Sequence, residues 1–372
     1  MSKHFNRFLS ALFCTFLGGM LVISTLLPDR TFSELENRNL QKVPKFSIHE
    51  LVEGKFTTNA ESYVSDHIAG RDLWVALKTW CERLTGKQEN NGVYFGAEGT
   101  LINRLDAPSM ETLEQNMTYV DKLVGNVNVP VYFGLIPSSA AIWGDRLPAG
   151  APTADEQAII DHLYSITKAD TIDLYSLLAQ HSSEDIYYRT DHHWTSLGAY
   201  YGYAALTEAM GLTPVALESL TPTTVTEDFN GTIFSSSGVR WLQPDSIQTY
   251  IPDEGFEVTR YPEGKPIVSG LYEESCLEKK DKYSYFLGGV QPLCTIKTQN
   301  TEAPKVLLIR DSYSDSLAPF LTQNFSEIHL WDMRYNINSV KTYVEENGID
   351  NVVVLYSISN FVSDKNLFLL GR

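Results

Sequence analysis

Basic residues are scarce in this 372-residue chain: 29 Lys and Arg stand against 46 Asp and Glu, a formal charge of −17. So negative a surface repels phosphate backbones and lacks the counterion release that drives nucleic-acid binding, which excludes nucleic acid as a partner. The sequence has no GxGxxG turn, no Walker loop and no GxSxG elbow. Dinucleotide, nucleoside triphosphate and ordinary α/β-hydrolase readings therefore fall away. Histidines number only eight, with no HxxxH or HExxH spacing to build a metal site. No metal or cofactor is expected. Cysteine is equally sparse, at four residues. Cys14 lies in an apolar stretch and Cys81 has no near partner, whereas Cys276 and Cys294 flank a hairpin-like segment. That pair is the candidate disulfide, which would contribute about 3 kcal/mol through loop entropy.

What is present is ordinary in bulk and telling in detail. With 43% hydrophobic and 20% charged residues the chain is globular, and its length suits one large or two modest domains. Aromatics reach 12%, enough for a large core or for a cleft that stacks on sugars. Residues 8–27 run twenty positions without a charge, behind Lys3 and Arg7. A helix of that length spans about 30 Å, the thickness of a bilayer core. A cleavable signal peptide has a shorter apolar stretch and a small-x-small site, so 1–30 reads as an uncleaved signal anchor. The chain is then single-pass in the cell membrane, with its bulk on the extracytoplasmic side. Beyond the anchor, 26 basic residues face 45 acidic ones.

Residues 31–100 read as a stalk and entry segment, and 101–372 as the main domain. In the latter, apolar strands at 129–137, 305–310, 327–331 and 351–357, with a short one in 171–178, alternate with helical stretches. Such alternation predicts an α/β fold with a doubly wound parallel sheet. Between about 212 and 300, Thr, Val, Tyr, Gly and Pro dominate, which predicts a β-rich insertion.

Sites in such sheets form beyond the carboxyl ends of the strands. Two loops there carry chemistry. Tyr187-Tyr188-Arg189-Thr190-Asp191-His192-His193-Trp194 precedes a helix, and Arg310-Asp311-Ser312-Tyr313-Ser314 follows strand 305–310. Serine needs an adjacent base, and the base needs an orienting carboxylate; Asp191 and His193 can present both. N–H groups at the following helix start can stabilise an oxyanion. Against this stand plainer roles, with Ser312 and Asp191 as helix caps, and a metal reading of Asp191, His192 and His193.

The Tyr-Arg-Thr-Asp-His-His-Trp-Thr run with Leu197-Gly198-Ala199-Tyr200 resembles the signature of the DHHW proteins. These are relatives of the alginate O-acetylation proteins AlgJ and AlgX within the SGNH-hydrolase-like group. Phe32-Ser33-Glu34-Leu35-Glu36-Asn37-Arg38, Asn91-Gly92-Val93-Tyr94-Phe95-Gly96, Phe229-Asn230-Gly231-Thr232 and Asp311-Ser312-Tyr313 extend the likeness. The resemblance implies an SGNH-hydrolase-like sheet, with Ser312 as nucleophile, His193 as base and Asp191 as orienting carboxylate. The usual oxyanion blocks are not legible; Arg334, Asn360, Tyr313, Trp194 and His192 become candidates for substrate or oxyanion contacts. Trp194 is expected to pack under the triad loop and His192 to wall the cleft. The activity implied is an O-acetyltransferase or acetylesterase on a cell-surface polysaccharide or cell-wall glycan, with a membrane-bound O-acyltransferase as acyl donor. A non-catalytic glycan-binding or assembly protein on the same fold is the rival reading.

Overall fold

The uncharged run near the N-terminus satisfies its own backbone as helix α1 (Lys3–Leu26), its apolar side chains exposed. Among the described residues it is the one helix long and apolar enough to cross a membrane. The computed structural model describes residues 3–372; Met1 and Ser2, the start of the expected anchor, lie outside them. The chain divides into two units. One holds the residues up to Asn90 with Phe234–Trp241, and the other holds Asn91–Ile233 and Leu242–Arg372. Besides α1, the first unit contains helices α2 (Lys55–His67) and α3 (Arg71–Leu84). At its centre is Asp66, whose carboxylate accepts from Arg38 Nη1 at 3.1 Å and from the Gln41 N–H at 2.8 Å.

The second unit is built on an eight-stranded mixed sheet. Its strands are β1 (Val131–Ile136), β2 (Asp170–Thr171), β3 (Glu257–Arg260), β4 (Ile267–Ser269), β5 (Leu293–Lys297), β6 (Lys305–Arg310), β7 (Glu327–Trp331) and β8 (Asn351–Ser357). The spatial order is β4-β3-β5-β7-β6-β8-β1-β2. From β7 to β2 all pairs are parallel, whereas β4, β3 and β5 join antiparallel. The sheet is therefore not purely parallel. Part of the 212–300 segment extends it edgewise, because Leu293–Lys297 pairs along the whole of Glu327–Trp331.

Apolar strands such as β6 need cover on both faces. Val306 and Leu308 belong to one core cluster, with Leu317 and Phe320 of α8 (below) and Tyr203 and Leu206 of α7; Leu307 and Ile309 belong to another. The helices of this unit include α4 (Met110–Asn126), α5 (Glu156–Ile166), α6 (Leu174–Gln180), α7 (Ser196–Ala209), α8 (Ser314–Leu321), α9 (Val340–Asn347) and α10 (Ile358–Ser363). Leu113, Met117 and Val120 of α4 and Ile160 and Leu163 of α5 fill the second cluster.

Two local expectations need correction. The 171–178 run is strand only at Asp170–Thr171 and then turns into α6. Asp173 accepts from the Ser176 N–H at 3.0 Å, and this N-cap starts a helix where apolar spacing alone reads as strand. Cys276 and Cys294 are free, buried thiols rather than a bridge. Cys294 lies inside the sheet, opposite Arg260 on one side and Leu330 on the other, while Cys276 closes a one-turn helix, Glu274–Cys276.

Glycine decides one close approach. A Cβ on Gly198 in α7 would fall 2.1 Å from the Ile186 carbonyl oxygen and 2.9 Å from Trp194 Cβ. Gly198→Ala is expected to cost about 1–3 kcal/mol through overpacking. An unchanged midpoint in urea unfolding would contradict it.

Candidate active site

The loop before α7 is closed like a small hairpin. Tyr187 and Trp194 form an antiparallel bridge, the Tyr188 N–H donates to His193 O at 3.2 Å, and the Thr195 N–H donates to Ile186 O at 3.0 Å. Its polar backbone is satisfied from outside. The buried Asp245 carboxylate accepts from the Thr190 N–H at 2.8 Å and the Thr190 hydroxyl at 2.6 Å. Trp194 is fully buried, and its indole N–H donates to Tyr313 O at 2.9 Å. That bond ties the loop to the turn after β6.

In that turn the Ser314 N–H donates to Asp311 O at 3.2 Å and the Asp315 N–H to Ser312 O at 3.1 Å. The N–H groups at the start of α8, expected to face an oxyanion, are thus engaged in closing the turn. The Tyr313 N–H is also taken, by Asp311 Oδ1 at 3.1 Å. Below the turn, buried Arg310 and Asp315 lie 2.8 Å apart as an ion pair without hydrogen-bond alignment. Burial pushes the Asp315 carboxyl up to about 6 even with Arg310 beside it.

These two loops bring Asp191, His193 and Ser312 together. His193 Nδ1 is 2.6 Å from Asp191 Oδ1, and Nε2 is 2.8 Å from Ser312 Oγ. With the Nδ1 proton donated to the carboxylate, Nε2 is left as acceptor for the serine hydroxyl. Asp191 accepts further bonds from the His193 N–H at 3.0 Å, the Thr232 N–H at 2.7 Å and the Thr232 hydroxyl at 3.0 Å. Burial alone would raise this carboxyl, but the neighbouring imidazoles and the N–H donors hold it well below the ordinary aspartate range. The stability it contributes is full above the unfolded aspartate value, about 4, and is lost as pH falls. Acid unfolding of the wild type is therefore expected to be steeper below about pH 4 than that of Asp191→Asn, read by tryptophan fluorescence.

The ring of His193 is stacked on Tyr283, centroids 3.7 Å apart and planes at 7°. The Tyr283 hydroxyl donates to Ser312 O at 3.1 Å, so one residue braces both His193 and Ser312. His192 lies beside them, its ring 3.9 Å from that of His193 and its Nδ1 2.7 Å from Thr232 Oγ1. Burial and the proximity of His193 push the His192 imidazole down to about 4. The ligand atoms of Asp191, His192 and His193 lie within 4.8 Å of one another. A cation held there would have to break the bonds from His193 to Asp191 and Ser312.

A cavity of about 170 Å³ opens beside this chain of bonds, lined by His192, Tyr313, Ser138, Ser139, Ser357 and Ser359 among others. It lies at the carboxyl ends of β6, β8 and β1, where Arg310 pairs with Leu355 and Ser357 with Ile136. The remaining sequence candidates have other attachments. Arg334 is held by Asp332 through Nε at 2.9 Å and Nη2 at 2.6 Å. Asn360 donates from Nδ2 to Asp311 Oδ2 at 2.8 Å. Tyr313 is buried with its hydroxyl donating to His192 O.

Asp311, Thr232, Tyr283 and Gly231 join the site without a role legible in the sequence. Gly231 is the sharpest case, since a Cβ there would fall 2.2 Å from Asp191 Cβ and 2.3 Å from Oδ2. Gly231→Ala is expected to displace the carboxylate and lower turnover on the order of 10²-fold while the chain stays folded. Wild-type rates in the folded variant would contradict this. Gly231, Thr232 and Asp311 do lie inside the Phe-Asn-Gly-Thr and Asp-Ser-Tyr blocks; Tyr283 has no local signal.

The model of the DHHW protein family matches residues 116–331, more than half of the chain. The chain belongs to the DHHW protein family. Among solved structures, a DHHW family protein from Eubacterium siraeum is 25% identical with a TM-score of 0.68, covering 76% of this chain and 95% of that one. PatB1 of Bacillus cereus, determined with a sulfonyl adduct, is 23% identical with a TM-score of 0.64, covering 75% and 98%. That likeness is one of fold. A curated relative, the probable alginate O-acetylase AlgJ of Pseudomonas aeruginosa, is 25% identical over an alignment of 216 positions, gaps included, that covers 54% of this chain. The match spans about half of that relative's length, 51%.

Proposed function

We propose that this DHHW protein is an extracytoplasmic, SGNH-like O-acetylation enzyme that modifies a surface polysaccharide or cell-wall glycan through an acetyl-Ser312 intermediate. The hydrogen-bonded series Asp191–His193–Ser312 carries the reading. Ser312 Oγ attacks the acyl carbonyl of the donor while His193 Nε2 takes the hydroxyl proton. The donor's leaving group departs with that proton, and acetyl-Ser312 remains. A sugar hydroxyl then attacks the ester, gives its proton to Nε2, and Ser312 Oγ recovers it as the acetylated sugar leaves. Water in place of the sugar makes the same machinery an acetylesterase. Asp191 keeps the imidazole in the required tautomer and stabilises its charged form. The Ser312 N–H has no partner among the described residues and serves as one oxyanion donor.

The name of the Pseudomonas relative supports acetyl transfer to a polysaccharide. Charge bears on which one. Residues 91–372 carry 36 acids against 18 bases, and Arg334 is neutralised by Asp332. An acceptor of low charge suits this surface better than a polyuronate. In this reading 1–30 is a membrane anchor, 31–100 a stalk and entry segment, and 101–372 the catalytic domain with a β-rich insertion at about 212–300. The acyl donor is a membrane-bound O-acyltransferase.

The test offers the full chain an activated acetyl ester, neutral or uronate oligosaccharides, and a fluorophosphonate. Acetyl trapped on Ser312, fluorophosphonate competition and transfer to the neutral sugar are expected. Neither turnover nor labelling, with glycan still bound, would leave the non-catalytic binder instead.

A further inference from the structure

Helix α3 is turned inside out. On a helical wheel Leu73, Leu77, Trp80 and Leu84 share an arc of about 60°. They are 69%, 44%, 51% and 67% exposed, respectively. The side that faces the protein is mostly polar, with Val75 the apolar residue among Asp72, Thr79 and Glu82. Thr79 is buried, its hydroxyl accepts from Asn90 Nδ2 at 3.3 Å, and a Cβ on Gly238 would strike it at 2.5 Å. A water-facing helix has the opposite arrangement.

The place where α3 starts says what covers this stripe. The Ala69 N–H, just before α3, donates to Ser24 Oγ in the last turn of α1 at 2.9 Å. Arg30, just beyond α1, pairs with Asp72 at 3.1 Å, and its carbonyl lies 3.1 Å from His67 Nε2. Tyr63 of α2 donates to Asp29 at 2.8 Å. The α2–α3 corner is thereby fastened to the point where the chain leaves the apolar helix. From there Trp74 reaches back along α1 to meet Phe16 edge-on, centroids 6.3 Å apart. Phe16 lies ten residues before Leu26, about 15 Å down the helix axis.

Charge is distributed to match. Residues 31–90 carry eight bases and nine acids, nearly balanced, while residues 91–372 hold the large acidic excess. Anionic phospholipid repels the acidic part and tolerates the balanced one. Trp80, on the stripe, suits the headgroup region, where indoles concentrate, while Trp74 lies deeper, against α1.

We propose that α3 docks on the bilayer that α1 enters, with Leu73, Leu77, Trp80 and Leu84 in the boundary between headgroups and acyl chains. The proposal rests on α1 as a membrane span and is independent of the chemistry at Ser312. Its function is to fix the first unit against the membrane instead of leaving it on a free tether.

The test reconstitutes the full chain, alone and dilute, in phosphatidylethanolamine–phosphatidylglycerol vesicles with brominated acyl chains. Tryptophan emission of the wild type is compared with that of the conservative double variant Trp74→Phe/Trp80→Phe. Bromolipid quenching in the wild type and loss of most of it in the double variant are expected. If Trp74 and Trp80 are quenched by aqueous iodide and not by bromolipid, docking on lipid is overturned, and a protein partner or second copy becomes the cover. Failure to float with the vesicles overturns the α1 span and this inference together. Fluorophosphonate labelling of Ser312 in the same samples reads the catalytic proposal separately.

Discussion

Ser312→Ala is expected to lower turnover by about 10⁴-fold or more with little change in the unfolding midpoint. The half-buried hydroxyl donates one bond, to His193 Nε2, so its loss leaves the fold nearly untouched. In the proposed mechanism its removal eliminates the acyl-enzyme route entirely. Asp191→Asn is expected to cost about as much, on the order of 10⁴-fold, by a different path. An amide cannot take the Nδ1 proton while also presenting an oxygen to both N–H donors, His193 and Thr232. The imidazole then settles in the tautomer with a proton on Nε2, facing a serine that needs an acceptor. Under the proposed mechanism the three residues act as one unit, so the double variant Ser312→Ala/Asp191→Asn is expected to be no slower than Ser312→Ala. Acetyl transfer to an oligosaccharide, followed by product mass, measures all three. An Asp191→Asn enzyme within tenfold of wild type would remove Asp191 from its assigned role.

Sequence makes this region readable because part of it is local. Asp191 and His193 are two residues apart in one loop, and Ser312 follows a run, Val306–Ile309, whose apolar character already marks a buried strand. What supports them is not local. Thr232 reaches Asp191 across 41 positions, Asp245 reaches Thr190 across 55, and Tyr283 reaches Ser312 across 29. No periodicity in 212–300 tells which of its polar and aromatic side chains turn towards the centre. The segment reads as a separate insertion, yet it extends the sheet and supplies the ring stacked on His193. Arg334 and Asn360 attract attention because they stand just beyond the apolar runs 327–331 and 351–357. The fold instead gives each a carboxylate partner, Asp332 and Asp311, which edge position alone cannot foretell. The cysteine pair failed for a related reason. Spacing suggests a hairpin, but bridging needs two side chains that meet, and Cys294 is directed into the core of a sheet.

Asp311 leads to the last expectation and the largest one in stability. It is fully buried beside Ser312, and four donors converge on its carboxylate. Oδ2 accepts from the Ser357 N–H at 2.8 Å, the Ser357 hydroxyl at 2.7 Å and Asn360 Nδ2 at 2.8 Å; Oδ1 accepts from the Tyr313 N–H. These bonds join the turn after β6 to the end of β8 and the start of α10, neighbours at the carboxyl edge of the sheet. In Asp311→Ala the donors would be left buried without an acceptor, at about 1–3 kcal/mol for each that finds no water. Relief from burying a carboxylate offsets part of this. The net expected loss is about 3–5 kcal/mol in urea unfolding. Asp311→Asn keeps one oxygen but turns an NH₂ towards a donor, so it should fall between alanine and wild type. Both variants are expected to lose turnover beyond their unfolded fraction, on the order of 10²-fold at a temperature where they remain folded. The reason is geometric: Ser312 is held 2.8 Å from Nε2 by a turn whose position the Asp311 carboxylate sets. A loss under 1 kcal/mol, or full activity in the folded alanine variant, would show that the turn holds Ser312 without it.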